Sequence, residues 1–247
     1  MEIVELALAG AFIGVMLGVL GAGGAIFTAP LLMFGFDVPP REATTVSLVV
    51  VLLAAASGLV GHRGSRTVRW REGVIFGGVG TVAAAAGSWL ATVLPDRVLT
   101  AGFSLLLLTA AVAMVRQPQA SDVRGLRKSL VVVAAAALGV GLVTGFFGVG
   151  GGFVIVPALV LVLGFGIREA TATGLLVIAI NATAALAVRG PEYLDWGLAL
   201  PMALGAAAGS FGGATVAHRL PRERLRQAFA AVMVGAALLL GLQTALA

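Results

Sequence analysis

Residues 18–30 read Gly18-Val-Leu-Gly21-Ala-Gly23-Gly24-Ala25-Ile-Phe-Thr-Ala-Pro30, and residues 145–157 read Gly145-Phe-Phe-Gly148-Val-Gly150-Gly151-Gly152-Phe-Val-Ile-Val-Pro157. Each stretch sits inside a long apolar run. Arg41-Glu42-Ala43-Thr44 follows the first and Arg168-Glu169-Ala170-Thr171 the second. One interval, 127 residues, carries Pro30 to Pro157, Gly21 to Gly148, Gly23 to Gly150, Gly24 to Gly151 and Arg41 to Arg168. A gap-free match through Gly, Pro, Arg and Glu is an internal repeat rather than chance likeness between apolar segments.

Composition fixes the solvent. Of 247 residues, 60% are hydrophobic and 11% charged, and the mean hydropathy is +1.07. Apolar segments fall at 3–20, 24–36, 43–61, 73–94, 98–115, 129–147, 153–165, 170–188, 196–217 and 227–246. Most are long enough for transmembrane helices, with 3–20 marginal. The segments 24–36 and 153–165 cover only ~20 Å of a ~30 Å hydrocarbon core. No room is left for a separate soluble domain. With no cysteine, disulfide, thiolate-metal and thiol-redox chemistry are excluded. The apolar run near Met1 carries Glu2 and Glu5 rather than a basic leader, so it reads as a retained membrane segment.

The net charge of +5 is explained by topology, not by nucleic acid. Loops 61–72, 116–128 and 218–226 hold twelve of the sixteen basic residues, which places them in the cytoplasm. Pro95–Arg97 and Arg189–Trp196 are poor in basic residues and belong outside. Trp70, Tyr193 and Trp196 fall at expected boundaries, where interfacial aromatics sit. The charge asymmetry of the two copies is opposite. The expected fold is therefore an all-α integral membrane protein made of two inverted repeats, 1–121 and 122–247, forming one membrane domain. Each repeat has three long helices plus a glycine-turned helical hairpin with a short arm. Both termini are expected outside the cytoplasm.

Inverted repeats with interrupted apolar segments at matching positions point to a secondary-transporter site. Irregular backbone at membrane depth must be buried in protein or line a cavity. The first N–H groups of a helix after a glycine turn have no partners and, with the helix dipole, favour an anion. Two such turns facing each other would offer donors from both sides. The expected substrate contacts are Gly21, Gly23, Gly24, Ala25, Gly148, Gly150, Gly151 and Gly152. Thr44, Ser47, Thr171, Thr173 and Asn181 join them as hydroxyl and amide groups. Each hydroxyl is weighed against bonding back to its own helix, and Asn181 against a helix–helix contact. Arg41 and Arg168 are weighed as interfacial anchors or as an electrostatic mouth on each side. His62 and His218 read as solvated loop residues. Ala83–Gly87 and Gly205–Gly213 read as close-packing glycine stretches. Ala86-Gly-Ser88 is matched with Ala208-Gly-Ser210, and Pro95 with Pro221.

The duplicated Gly-x-Gly-Gly tract, the following proline and the Arg-Glu-Ala-Thr resemble the TauE/SafE family of sulfite and sulfonate exporters, also called the four-toluene-sulfonate uptake permease family. The resemblance covers essentially the whole chain. It implies a bacterial or archaeal inner-membrane transporter of sulfur-containing oxyanions or organosulfonates. The first copy departs from the second at Ala25 against Gly152 and Ser47 against Gly174. The expected function is a secondary transporter, exporting small sulfur-containing anions by alternating access. The alternative is an anion channel, or a transporter of another small organic anion. The expected partners are the anion, the bilayer and a possible homodimer, with no nucleic acid, cofactor or metal. Enzyme activity is not expected: no Gly-x-Ser-x-Gly, paired carboxylates or histidine lies within a span.

Overall fold

A computed structural model describes residues 3–21, 24–62, 67–91, 96–116, 129–146, 152–189, 192–217 and 219–246. All regular structure among them is helical: α1 (Ile3–Leu20), α2 (Ala25–Pro30), α3 (Pro40–Gly61), α4 (Trp70–Ala91), α5 (Asp96–Arg116), α6 (Leu130–Phe146), α7 (Gly152–Leu161), α8 (Ile167–Arg189), α9 (Trp196–Ala217) and α10 (Arg222–Leu246). Every expected apolar segment coincides with a helix over its described residues, except that the helix in 153–165 ends at Leu161. Among the described residues α1, α3, α4, α8 and α9 are long and apolar enough to cross a membrane. The chain is a multi-pass helical membrane protein.

Small residues bring the backbones together. Gly10, Gly14 and Gly18 on α1 lie against the carbonyls of Met202, Ala206 and Ser210 on α9, leaving no room for a side chain. Gly205, Gly209 and Gly213 of α9 are pressed in the same way onto Ala7, Ala11 and Val15. Both series ascend, so α1 and α9 run parallel. Small residues every four positions form one helix face and permit this approach. The packing role expected for Gly205–Gly213 holds. The pairing recurs between α6 and α4, where Gly141 meets Gly80, Gly145 meets Ala84, and Gly87 meets the carbonyl of Leu142. These contacts equate Gly87 with Gly213, at an interval of 126. The alignment of Gly87 with Gly209 through Ala-Gly-Ser is corrected by one helical turn. Pro95 and Pro221 share that interval of 126.

The two short arms also end alike. Pro30 has no N–H to give, and the helix widens after it into a π-helical turn, Leu31–Gly35, as a missing backbone donor allows. At its foot Asp37 takes φ 53° and Val38 N–H donates to Leu32 O at 3.0 Å. In the second arm Gly164 takes φ 70° and Phe165 N–H donates to Leu159 O at 3.0 Å. In both, the residue after a left-handed one donates six positions back, one residue wider than a Schellman cap. With the π-turn included, the arms are 25–35 and 152–161, or ~15 Å each.

Pro40 opens α3 at a position where its missing donor is harmless. Helices α3 and α8 pack antiparallel at the centre. The start of α3 meets the end of α8, since Arg189 donates to Thr44 Oγ1. The link before α4 meets the start of α8, since Arg69 N–H donates to Thr173 Oγ1 at 3.1 Å. Helix α9 runs parallel to α3, with Ser57 Oγ donating to Ala207 O at 2.7 Å and Gly61 close to Ala214. The ends of α3 and α9 and the starts of α4, α6, α8 and α10 therefore share one end of the bundle, with Arg69, Arg71, Arg222, Arg224 and Arg226 at it. Helix α1 begins and α10 ends at the opposite end.

A second expectation is overturned. His62 is not solvated but 3% exposed; it caps α3, and its ring Nδ1 lies 2.9 Å from Gly58 O. One turn beyond Gly58, the ring folds back onto the last turn of α3. His218 lies outside the described residues.

Candidate functional site

Gly21 ends α1 and turns the chain with φ 74°, a left-handed backbone that favours glycine. It has no Cβ because there is no space for one: the Thr171 backbone of α8 occupies the position. Gly174, one turn further along α8, is flanked by the same turn and by the second arm. A Cβ there would lie 3.2 Å from Gly21 O and 3.0 Å from Val156 Cγ2. This crowding accounts for glycine at 174 where the first copy has Ser47. The first glycine turn, the arm α7 and the start of α8 thus converge, and α2 touches α7.

Gly24 is buried and opens α2, with Ala25 as its first residue. The hydroxyl of buried Thr28 donates back to Gly24 O at 3.2 Å. Gly152 opens α7. Gly23, Gly148, Gly150 and Gly151 lie outside the described residues.

The hydroxyls divide by what they do with their one hydrogen. Thr44 Oγ1 donates to Pro40 O at 2.8 Å, Ser47 Oγ to Thr44 O at 2.8 Å, and Thr171 Oγ1 to Arg168 O at 3.1 Å. All three bond back to their own helix, the first of the two readings weighed for them. Thr173, fully buried, instead accepts from the Arg69 backbone. Buried Ser210 has no partner for its Oγ, which faces Gly58. Thr44 and Ser47 stand at the end of the bundle opposite Thr171 and Thr173, because α3 and α8 are antiparallel.

Asn181 meets Thr81 of α4 at 2.8 Å. Thr81 has one hydroxyl hydrogen, and Gly77 O also lies 2.8 Å away. The consistent assignment turns the amide so that its NH2 donates to Thr81 while Thr81 donates to Gly77. This is the helix–helix contact.

Arg41 is exposed, with its guanidinium 5.9 Å from the centroid of Tyr193. Arg168 donates to Leu220 O at 2.7 Å, while its buried Nε has no partner. The two arginines lie at opposite ends of the bundle. Sequence reasoning missed Arg69, which was counted only as a basic loop residue. It lies half-exposed against Glu169 at 3.0 Å, and only the antiparallel packing of α3 on α8 brings the two together. No group of acidic residues and histidines among the described residues could hold a metal ion.

The profile of the family described as Sulfite exporter TauE/SafE matches residues 6–240. A probable membrane transporter protein of Xylella fastidiosa (strain 9a5c) is 30% identical over 237 residues, 93% of this chain and 91% of its own. The probable membrane transporter protein YdhB of Bacillus subtilis (strain 168) is 29% identical over 230 residues, 87% of this chain and 91% of its own. One from Methanocaldococcus jannaschii is 23% identical over 236 residues, 90% of this chain and 88% of its own. No solved structure matches.

Proposed function

The chain belongs to the sulfite exporter TauE/SafE family of membrane proteins, and from that premise we propose that it is a secondary transporter exporting small sulfur-containing anions, sulfite or an organosulfonate. The observation that carries this reading is the turn at Gly21, an irregular piece of backbone seated on Thr171 of the other half of the chain. At membrane depth such backbone persists where it is packed in protein or lines a path for solute. The reading takes 1–121 and 122–247 as inverted repeats of one membrane domain. It is supported by the reciprocal packing of α1 on α9 and α6 on α4, and by the matched caps at Asp37 and Gly164. The basic loops face the cytoplasm of a bacterial or archaeal cell, and both termini face away from it.

The anion is held by main-chain N–H groups after the two glycine turns, with Ala25 and Gly152 opening the arms. Rocking of one repeat against the other exposes it to each side in turn. An interior-negative potential drives efflux of an anion by ~2.3 kcal/mol per charge per 100 mV. Purified protein in liposomes, tested with sulfite, sulfoacetate, taurine, sulfate and lactate, decides the matter. Saturable movement of a sulfur oxyanion is expected, lost in Gly23→Leu and Gly150→Leu with membrane insertion intact. Conductance without saturation would make the protein a channel. Transport surviving both substitutions would remove the turns from the mechanism.

A further inference from the structure

Ser210 of α9 is fully buried, and its Oγ has no hydrogen-bond partner. Other buried hydroxyls of the bundle, those of Thr28, Thr45, Thr144 and Thr171, donate to a carbonyl three or four residues back in their own helix. For Ser210 both of those carbonyls are claimed by other helices. Ala207 O, three residues back, accepts from Ser57 Oγ of α3 at 2.7 Å. Ala206 O, four residues back, is pressed against Gly14 of α1. A buried hydroxyl left without a partner costs stability.

Packing does not call for this hydroxyl. Ser210 meets Gly18 of α1 through its backbone carbonyl. In the other half of the chain Ala84 of α4 meets Gly145 of α6 in the same way. Ala84 precedes Ser210 by 126 residues, and Gly145 follows Gly18 by 127. The equivalent position thus closes its seam with a methyl group.

The hydroxyl is aimed at the place where α1, α3 and α8 converge. Its Oγ lies 2.6 Å from the point where a Cβ on Gly58 of α3 would stand, and Leu175 Cδ1 of α8 lies 3.0 Å from the same point. Leu175 follows Gly174, which the Gly21 turn flanks. Along α1 that turn is three residues beyond Gly18, or ~5 Å. One oxyanion between the hydroxyl and the turn would make a hydrogen bond of ~2.8 Å to each, which fits such a span. The cover on the α8 side is the tip of a flexible leucine, which can swing aside.

We propose that Ser210 is a substrate contact: its hydroxyl donates to an oxygen of the anion seated at the Gly21 turn, and Leu175 yields the space. The hydrogen is held free beforehand, so no bond within the protein is broken when the anion arrives. The inference deepens the transporter reading above and rests on it.

In liposomes Ser210→Ala should raise the KM for sulfite at least tenfold, roughly the loss expected for a hydrogen bond to a charged group. Its kcat should stay within about twofold, because the contact is made already in the bound state. In detergent the variant should melt no lower than the wild type, since no bond within the protein is lost. Sulfite should raise the melting temperature of the wild type more than that of the variant at the same concentration. An unchanged KM in Ser210→Ala, beside a wild type that transports sulfite, overturns the contact and leaves the transporter reading standing. A lower melting temperature, or failure to reach the membrane, also overturns it, because the hydroxyl would then have a structural partner. A wild type that neither moves a sulfur oxyanion nor is stabilised by sulfite overturns the transporter reading, and the contact with it.

Discussion

Asp37 and Gly164, 127 residues apart, hold the same left-handed backbone, φ 53° and 70°, at the feet of the two short arms. In each case the next residue's N–H reaches six residues back to cap the arm. Aspartate is among the few side-chain-bearing residues that tolerate this conformation, so the cap survives the change of residue type. Nothing lies within 4 Å of a Cβ placed on Gly164, so a substitution there tests the backbone alone. Gly164→Asp should cost less than ~1 kcal/mol, while valine at either position should cost ~1–2 kcal/mol. Melting in detergent measures this, and a neutral Asp37→Val would show that the cap does not constrain the arm.

The two glycine seams should fail alike. A side chain on Gly14 runs into the carbonyl of Ala206, and one on Gly141 into that of Gly80. Both obstacles are backbone and cannot swing aside. Valine at either position should cost ~3 kcal/mol or more, at the upper end of overpacking effects. Gly139, with open space around it, is the control and should accept alanine without loss. If Gly14→Val and Gly139→Ala melt together, the α1–α9 contact is not as close as described.

Much of this architecture was legible because periodicity and glycine spacing report on one helix at a time. All ten helices and the two short arms could be read from hydropathy and glycine spacing. Relations between helices could not. Gly10, Gly14 and Gly18 share a face at a spacing of four, but nothing in the sequence names α9 as the surface they meet. The Ala-Gly-Ser match misled by one turn, because small residues recur every four positions on α4 and α9 and any of those registers looks plausible. His62 was misread because loop residues next to a basic cluster are usually solvated, whereas here its ring folds back onto the last turn of α3. Arg69 gave no local signal: its partner Glu169 is 100 residues away. Thr44, Ser47 and Thr171 were legible as residues with two uses, and the structure puts their hydrogens on their own helices.

Asn181 offers a cleaner choice between contact and ligand. Its bond to Thr81 joins α8 to α4, and interhelical bonds of this kind couple by ~0.6 kcal/mol, up to ~1.7. A double-mutant cycle with Thr81→Ala and Asn181→Leu should return a coupling in that range, with the sulfite KM unchanged within about twofold. A raised KM in Asn181→Leu, whether or not Thr81 is present, would instead make Asn181 a substrate contact.

Gly21 is where fold and proposed function can be separated most directly. Alanine there meets two obstacles: the left-handed backbone costs an ordinary residue ~1–2 kcal/mol, and the new Cβ runs into the backbone of Thr171. The colliding atoms are the Thr171 carbonyl and Cα, not its side chain. Truncating Thr171 to alanine therefore makes no space, and because its hydroxyl bonds only to Arg168 O, that change alone should leave transport near wild type. Gly21→Ala should lower the initial rate at least tenfold, if displacing the turn costs the bound anion ~1.4 kcal/mol or more of transition-state stabilisation. The double variant should be no better. Rates are measured at matched protein density in liposomes, with melting as the check on folding. Rescue of Gly21→Ala by Thr171→Ala would mean that the side chain, not the backbone, limits the turn. A Gly21→Ala protein that melts lower yet transports at the wild-type rate would leave the turn a structural feature and move the anion site elsewhere in the bundle.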